Sequence, residues 1–190
     1  MKKIIAGVDE VGRGSLIGPV YAAAVILKKK LDKKMLKDSK KLSKKKREIL
    51  EKYIKKNSYW SVGSASLKEI EKLNILNASL LAMKRAIIKL KKKPGKILID
   101  GNQIPKIKNY NLKFVIKGDE KIPEISAASI IAKVSRDRLI TKMSKKYIKY
   151  SWNKNAGYGT KGHLLAIKKF GITKHHRKTF KPIHNILSLE

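Results

Sequence analysis

The chain has 190 residues, 42% of them hydrophobic, so it can bury one sizeable core and does not have the composition of a disordered protein. It carries 47 Lys and Arg residues against 14 Asp and Glu residues, and the resulting formal charge of +33 favours a polyanionic partner such as nucleic acid. The chain has no cysteine, which excludes disulfides, thiolate zinc sites and cysteine nucleophiles. It has neither a membrane-spanning apolar run nor a signal peptide, so we expect a cytoplasmic protein with no membrane contact.

Lysine accounts for most of the basic residues, because only six of the 47 are arginine. A genome biased towards lysine codons explains part of this excess. Lysine attracts phosphates without reading bases, so the charge supports nucleic-acid binding and not sequence specificity.

Short apolar runs alternate with amphipathic segments along the chain, a pattern that is typical of an α/β fold with a covered sheet. We expect strands at residues 3–9, 20–27, 59–65, 96–100 and 112–116. We expect helices at residues 44–56, 76–90, 123–150 and 161–170, followed by a basic loop from residue 171. No linker or repeat interrupts this order, which predicts one domain over residues 1–190 with a basic C-terminal segment.

Four acidic residues share one property, since each lies at or just past the end of an apolar strand and beside glycine or a turn. They are Asp9, Glu10, Asp100 and Asp119. Ligand sites of open α/β sheets form at such strand ends, and carboxylates that converge there need a cation. Oxygen ligands without His or Cys select hard ions, so the pattern predicts Mg²⁺ or Mn²⁺. Two such ions can clamp the attacking and leaving oxygens of a phosphodiester.

These acids also have structural alternatives, because a carboxylate after a strand is often a turn former or a helix cap. Neighbours on a strand point to opposite faces, so Asp9 and Glu10 serve one site only if the strand ends at Glu10. Asp137 is a competing fourth acid. Its position inside a helix between Arg136 and Arg138 favours a local ion pair over a metal ligand.

The four histidines lack the spacing of a zinc site; they are His163, His175, His176 and His184. Two of them belong to the basic segment 175–178. We therefore expect this segment to form a basic surface or a phosphate contact.

Seven segments, taken together and in order, resemble those of the bacterial ribonuclease HII family, the type 2 ribonucleases H. They are Ala6–Gly14, Asp38–Leu42, Leu73–Leu76, Leu98–Asn102, Lys117–Asp119, Ile125–Val134 and Gly157–Thr160. They extend over nearly the whole chain, and the first and fifth are the most specific.

This resemblance implies an α/β ribonuclease H-like fold, with a central mixed five-stranded sheet flanked by helices and a helical C-terminal part. It implies hydrolysis of the RNA strand of RNA–DNA hybrids and incision 5′ to single ribonucleotides in duplex DNA, with 5′-phosphate products. The implied partners are therefore RNA–DNA hybrids and ribonucleotide-containing duplex DNA, bound by a monomer. The metal-site acids of the family fall on Asp9, Glu10, Asp100 and Asp119.

The resemblance also implies substrate-binding residues. Those that contact the ribose 2′-hydroxyl fall on Gly12, Arg13 and Gly14, and the tyrosine that stacks on the following deoxyribose falls on Tyr158. Phosphate contacts fall on Ser39, Lys40 and Lys41. Reading a 2′-hydroxyl needs backbone groups at close range, which glycine permits, and this contact distinguishes RNA from DNA.

Two alternatives stay open at this point. Tyr158 has a second interpretation as a core residue, although glycines on both sides favour exposure. The whole chain has a second interpretation as a basic, non-catalytic nucleic-acid-binding protein on the same fold. The presence of all four acids favours the enzyme.

Overall fold

A computed structural model describes residues 4–29, 31–36 and 42–188 of the chain. The predicted phosphate contacts Ser39, Lys40 and Lys41 lie outside the described residues. None of the helices within these ranges combines the length and the apolarity that a membrane span requires.

Five strands form one mixed sheet in the order β3-β2-β1-β4-β5. They are β1 (Ile5–Val11), β2 (Val20–Leu27), β3 (Ser58–Ala65), β4 (Lys96–Asp100) and β5 (Leu112–Val115). The first three are antiparallel neighbours, whereas β4 runs parallel to β1 and β5 runs parallel to β4. The carboxyl ends of β1, β4 and β5 therefore meet at one edge, and the pairing of Val8 with Ile99 brings Asp9 level with Asp100.

Helices cover both faces of the sheet and extend beyond it at the C-terminal end. They are α1 (Lys44–Lys56), α2 (Leu67–Ile88), α3 (Gly118–Lys121), α4 (Pro123–Ser144), α5 (Trp152–Asn155), α6 (Lys161–Phe170) and α7 (Lys181–Leu187). Alternate residues of β2 point to opposite faces. Ala22 and Ala24 pack in the core beneath α2, whereas Ala23 and Val25 pack in the core shared with α1 and α4. This confirms the predicted α/β fold with a mixed five-stranded sheet, flanking helices and a helical C-terminal part.

Helix α2 begins nine residues before the expected start. Ser66 caps it, because its side chain accepts from the Glu69 N–H while the Glu69 carboxylate accepts from the Ser66 N–H. A non-helical residue, Asn74 with φ 65° and ψ 167°, kinks the helix just before the apolar stripe that predicted it. The periodicity was interrupted at this kink, and only the second half of the helix carried a clear pattern.

Two expectations about the C-terminal third were wrong. Helix α4 ends at Ser144 and not near residue 150, and a separate 3₁₀ turn covers Ile148–Tyr150. The segment after residue 171 is not all loop, because it contains α7. The apolar side of α7 is buried in a third core with Trp152 and Ile167. Such burial depends on distant residues, so the basic composition of the tail concealed the helix.

Helix α4 lies directly on β1 at Gly7. A Cβ placed on Gly7 would overlap the backbone of Glu124 and Ile125 at the start of α4. The helix also presents small side chains to the sheet side, including the buried Ala127 and Ala128. Only glycine at residue 7 therefore allows this helix to approach so closely the strand that carries Asp9.

We expect Gly7→Ala to lower the free energy of unfolding by about 3 kcal/mol, because the new methyl group meets helix backbone that cannot rotate away. Gly162→Ala is the matched control, since no atom of the described residues lies within 4 Å of a Cβ built on Gly162 near the start of α6. That control should be neutral or more stable by up to about 1 kcal/mol. Urea unfolding of both variants measures the difference, and equal stability of the two would contradict the close contact.

Candidate active site

The carboxylate of Asp9 is buried at the edge where β1, β4 and β5 end, with 5% of the residue exposed. Burial raises its pKa well above the usual value, and the neighbouring charges of Glu10 and Asp100 raise it further. A side-chain hydrogen bond with Ser129 of α4 opposes this shift. The Glu10 N–H also donates to Asp9 Oδ1 at 2.7 Å. Asp9 is thus held in place by donors that do not balance its charge.

Glu10 lies inside β1, which continues to Val11, so the expected end of the strand at residue 9 was wrong. Burial raises the pKa of Glu10, and the charge of Asp100 adds to the rise, whereas Arg13 lowers it. Arg13 Nη1 lies 3.3 Å from Glu10 Oε1. Although successive strand residues point to opposite faces, Asp9 and Glu10 therefore both lie within electrostatic reach of Asp100.

A tight turn after β5 fixes Asp100. The chain reverses at Lys117, which has a left-handed φ of 53°, and the Gly118 N–H then donates to Asp100 Oδ1 at 2.6 Å. A Cβ on Gly118 would lie 3.3 Å from the same oxygen and would overlap Ile125 of α4. The glycine therefore allows β5, β4 and α4 to meet around this carboxylate.

Asp119 directly follows Gly118 in the sequence and lies half-buried in the first turn of α3. It lines a cavity of about 160 Å³ together with Lys33 and Ser126. The structure thus brings Asp9, Glu10 and Asp100 into mutual electrostatic contact, and Asp119 directly follows the glycine whose N–H binds Asp100. Across residues 4–29, 31–36 and 42–188, no three His, Cys, Asp or Glu side chains already have the geometry of a formed metal site.

This donor set fits a hard divalent cation. The cluster supplies only carboxylate oxygens, and the raised pKa of Asp9 means that burial and its acidic neighbours disfavour the ionised form. A cation between the strand ends would remove the repulsion between Asp9, Glu10 and Asp100.

The turn after β1 and the turn before α6 meet beside this cluster. Gly12 has a φ of 91°, and Ser15 forms a β-bridge with Tyr158. A Cβ on Gly14 would lie 3.9 Å from Tyr158 Cε1, so the ring faces the glycine turn. Tyr158 is half-buried, and Lys133 Nζ lies 5.9 Å from its ring centroid. The structure therefore brings the predicted residues Gly12, Gly14 and Tyr158 together.

Two buried arginines hold these turns, and the sequence analysis did not identify them. Arg136 of α4 packs against Gly12 and donates to the carbonyl oxygens of three residues, Ile17, Pro19 and Ala156. Arg177 donates to the carbonyl oxygens of Arg13 and Gly18 at 2.8 and 3.0 Å. Burial lowers the pKa of both guanidinium groups, that of Arg177 to about 9 with a further contribution from Arg136.

The ion pair expected for Asp137 is present, but neither flanking arginine makes it. Lys133 Nζ lies 3.0 Å from Asp137 Oδ1, one helical turn earlier. Arg138 donates twice to Glu51 of α1, at 2.9 Å for each bond. Arg136 turns inward to the carbonyl oxygens, so Asp137 has a local structural partner.

The expected basic surface at residues 175–178 was wrong for two of its members, because His176 and Arg177 are buried. His176 belongs to a hydrogen-bonded chain with His163 and Trp152. Trp152 Nε1 donates to His163 Nε2 at 2.9 Å, His176 Nε2 lies 3.3 Å from the same nitrogen, and His163 Nδ1 lies 2.9 Å from the Tyr158 carbonyl oxygen. Burial lowers the pKa of both imidazoles, that of His176 to about 4 with a contribution from His163.

We expect Asp9→Asn to raise the thermal midpoint at pH 7 in metal-free buffer, because it removes a buried acid whose ionised form the site disfavours and keeps an oxygen that can accept from the Glu10 N–H. A gain of 1 kcal/mol corresponds to roughly 2–4 °C for a chain of this size. Asp137→Asn is the control and should cost about 0.3–0.5 kcal/mol, the value of a helical ion pair. A less stable Asp9→Asn variant would contradict an ionised form that the site disfavours.

We expect the histidine chain to make stability fall in acid. The pKa of His176 is about 4 in the fold and about 6.5 when unfolded, so the unfolded state binds more protons between these values. Stability is therefore full above pH 6.5 and decreases towards pH 4, by at most about 3 kcal/mol. His176→Gln should flatten this slope in urea unfolding across the pH range, whereas the exposed His184→Gln should not. Identical slopes for all three proteins would refute a neutral, buried His176.

Comparisons with known proteins agree with this geometry. Residues 6–183 match the family model for ribonuclease HII. The chain is 73% identical over 185 residues to ribonuclease HII of Pelagibacter ubique strain HTCC1062, and the match covers 97% of this chain and all of the relative.

Solved structures show the same fold. Ribonuclease H2 from Pyrococcus horikoshii OT3 superposes with a TM-score of 0.80 at 29% identity, covering 97% of each chain. A Bst-RNase HIII structure in complex with Mn²⁺ superposes with a TM-score of 0.75 at 18% identity, covering 98% of this chain and 70% of that one. The second similarity concerns the fold alone.

Proposed function

Because this chain belongs to the ribonuclease HII family, we propose that it is an endonuclease that hydrolyses the RNA strand of RNA–DNA hybrids and incises 5′ to single ribonucleotides in duplex DNA. The observation that carries this proposal is the buried carboxylate cluster of Asp9, Glu10 and Asp100, next to a glycine turn that faces a tyrosine ring. The cluster supports the chemistry, and the turn with its tyrosine supports recognition of the substrate.

The carboxylates of Asp9, Glu10, Asp100 and Asp119 would hold Mg²⁺ or Mn²⁺. Bound in a pair, such ions supply a nucleophilic water and stabilise charge on the attacking and leaving oxygens of a phosphodiester. The chain itself positions the ligands. Ser129 and the Glu10 N–H hold Asp9, and the Gly118 N–H holds Asp100.

The turn of Gly12, Arg13 and Gly14 would contact the ribose 2′-hydroxyl, and Tyr158 would stack on the next deoxyribose. The ion pair of Arg13 with Glu10 connects this turn to the carboxylate cluster. A groove of about 310 Å³ shares Lys133 with the surroundings of Tyr158, and we propose that a phosphate backbone passes through it. Its lining includes four basic residues, Lys44, Arg47, Lys133 and Lys154.

The wider setting of the activity stays a prediction. We propose a single domain over residues 1–190 that acts as a monomer in the cytoplasm, in ribonucleotide excision repair and DNA replication. Ser39, Lys40 and Lys41 stay predicted phosphate contacts.

An incision assay on a labelled DNA duplex with one embedded ribonucleotide tests the activity and its ligands. We expect Mg²⁺- or Mn²⁺-dependent incision by the wild type, 5′ to the ribonucleotide. Asp100→Asn and Asp119→Asn should slow it by orders of magnitude while hybrid binding survives, since phosphate contacts are spread over many lysines. Asp137→Asn, which removes the ion pair with Lys133 at a residue outside the carboxylate cluster, should cleave at nearly the wild-type rate.

Three results would contradict this proposal. Absence of metal-dependent incision by a folded wild type would favour a non-catalytic nucleic-acid-binding protein. Near-normal rates for Asp100→Asn would remove the carboxylate cluster from the reaction. A severe loss in Asp137→Asn with a normal rate in Asp119→Asn would mean that the fourth ligand is Asp137.

A further inference from the structure

We propose that His163, buried and hydrogen-bonded to Trp152 and His176, is a positioning residue that fixes Tyr158 against the Gly12–Gly14 turn and so sets the preference for a ribonucleotide–deoxyribonucleotide junction. This inference rests on the proposed function, because it gives Tyr158 the stacking contact at that junction. His163 itself touches no substrate: it is fully buried, with 0% exposure.

The hydrogen bonds fix which nitrogen of each imidazole carries a proton. Trp152 Nε1 can only donate, so His163 Nε2 accepts, and the proton of His163 is on Nδ1. His163 Nδ1 then donates to the Tyr158 carbonyl oxygen at 2.9 Å. His176 accepts at Nδ1 from the Thr173 N–H at 2.8 Å, so its Nε2 is the donor that faces His163. Trp152 and His176 therefore share the one lone pair of His163 Nε2, at 2.9 and 3.3 Å, and the single N–H of His163 is directed at Tyr158.

The backbone on both sides of Tyr158 is fixed in addition. The Tyr158 carbonyl oxygen also accepts from the Thr160 N–H at 2.8 Å, and the Gly157 carbonyl oxygen accepts from Leu16 at 2.8 Å. The direction of the Tyr158 peptide therefore depends on both the loop of the glycine turn and the imidazole of His163. A change in that direction would move the ring away from Gly14.

A purely structural role accounts for only one nitrogen of His163. His163 and His176 lie in an aromatic setting beside Tyr150 and Trp152, where His163 Nε2 supplies the acceptor that the buried Trp152 Nε1–H needs. Burying polar groups is costly unless every member of the network has a partner. The other nitrogen, Nδ1, donates to the carbonyl oxygen of Tyr158, and neither packing nor the needs of Trp152 require that bond.

Two substitutions of His163 separate the bond to Tyr158 from the bond to Trp152. The amide nitrogen of His163→Asn can replace Nδ1 and donate to the Tyr158 carbonyl oxygen. The longer His163→Gln places its amide near the position of Nε2 and can accept from Trp152 only. His163→Asn therefore keeps the bond to Tyr158 and loses the bond to Trp152, whereas His163→Gln does the reverse. The two side chains are similar in size and polarity.

The measured quantity is the ratio of kcat/KM for a duplex with one ribonucleotide to kcat/KM for a continuous RNA–DNA hybrid. We expect His163→Gln to lower this ratio about tenfold, the scale of one lost stacking contact, and His163→Asn to keep it near the wild-type value. In the Tyr158→Ala background, His163→Gln should have no further effect on the ratio, because both changes remove the same contact.

A second measurement does not need catalysis. In the Asp9→Asn background, the affinity for the ribonucleotide-containing duplex relative to the all-DNA duplex should fall about tenfold with His163→Gln and should persist with His163→Asn. If His163→Gln does not fold, His163→Leu is the replacement, since it removes the bond to Tyr158 and fills the same space with an apolar side chain. It should lower the ratio about tenfold, whereas Trp152→Phe, which removes the donor to His163 and leaves the bond to Tyr158, should keep the ratio near the wild-type value.

Several outcomes would overturn the proposal. They are an equal loss on both substrates, an undiminished effect of His163→Gln in the Tyr158→Ala background, and a His163→Asn variant as impaired as His163→Gln. If the wild type cleaves neither substrate, the proposed activity fails, and the relative affinities still decide whether His163 controls Tyr158.

Discussion

Helix α4 rests on strand β1 at Gly7, where the backbone of Glu124 and Ile125 occupies the space that any side chain would need. Both halves of the site depend on this contact, because α4 then carries Ser129 to Asp9 and, two turns later, Arg136 to the glycine turn. The same helix contacts the Gly118 turn through Ile125. The absence of a side chain at Gly7 thus sets the distance between the carboxylates and the turn that is proposed to contact the ribose.

The chain as a whole is strongly basic, whereas the ends of its strands carry a cluster of acids. The whole chain carries +33, which attracts a polyanion from any direction without orienting it. The strand ends instead concentrate buried negative charge at Asp9, Glu10 and Asp100, and burial raises the pKa of both Asp9 and Glu10. A phosphodiester backbone is repelled by such a cluster unless cations intervene, so substrate attraction and metal binding depend on each other in the proposed mechanism.

Features that depend on local sequence were predictable, and features that depend on distant contacts were not. The apolar runs identified all five strands, and the acids at their ends included the three that the sheet brings together. Arg136 and Arg177 donate to carbonyl oxygens of turns that lie far away in the sequence, which no periodicity reveals. His163 binds a carbonyl oxygen only five residues earlier, but its burial depends on Trp152 and His176. One signal was present: only six basic residues are arginine, and all six make side-chain hydrogen bonds to carbonyl or carboxylate oxygens. In a lysine-rich chain, arginine indicates positions where the geometry of the guanidinium matters.

The central claim is that the carboxylates at the ends of β1 and β4 form the metal site. Anomalous diffraction from crystals of the wild type grown or soaked in Mn²⁺ tests it most directly, because the ion is located independently of activity. The account predicts an anomalous peak between Asp9 and Asp100, within about 2.0–2.6 Å of carboxylate oxygens, and loss of that peak in Asp100→Asn. A Mn²⁺ ion bound elsewhere in the chain, with the space between Asp9 and Asp100 empty, would contradict it.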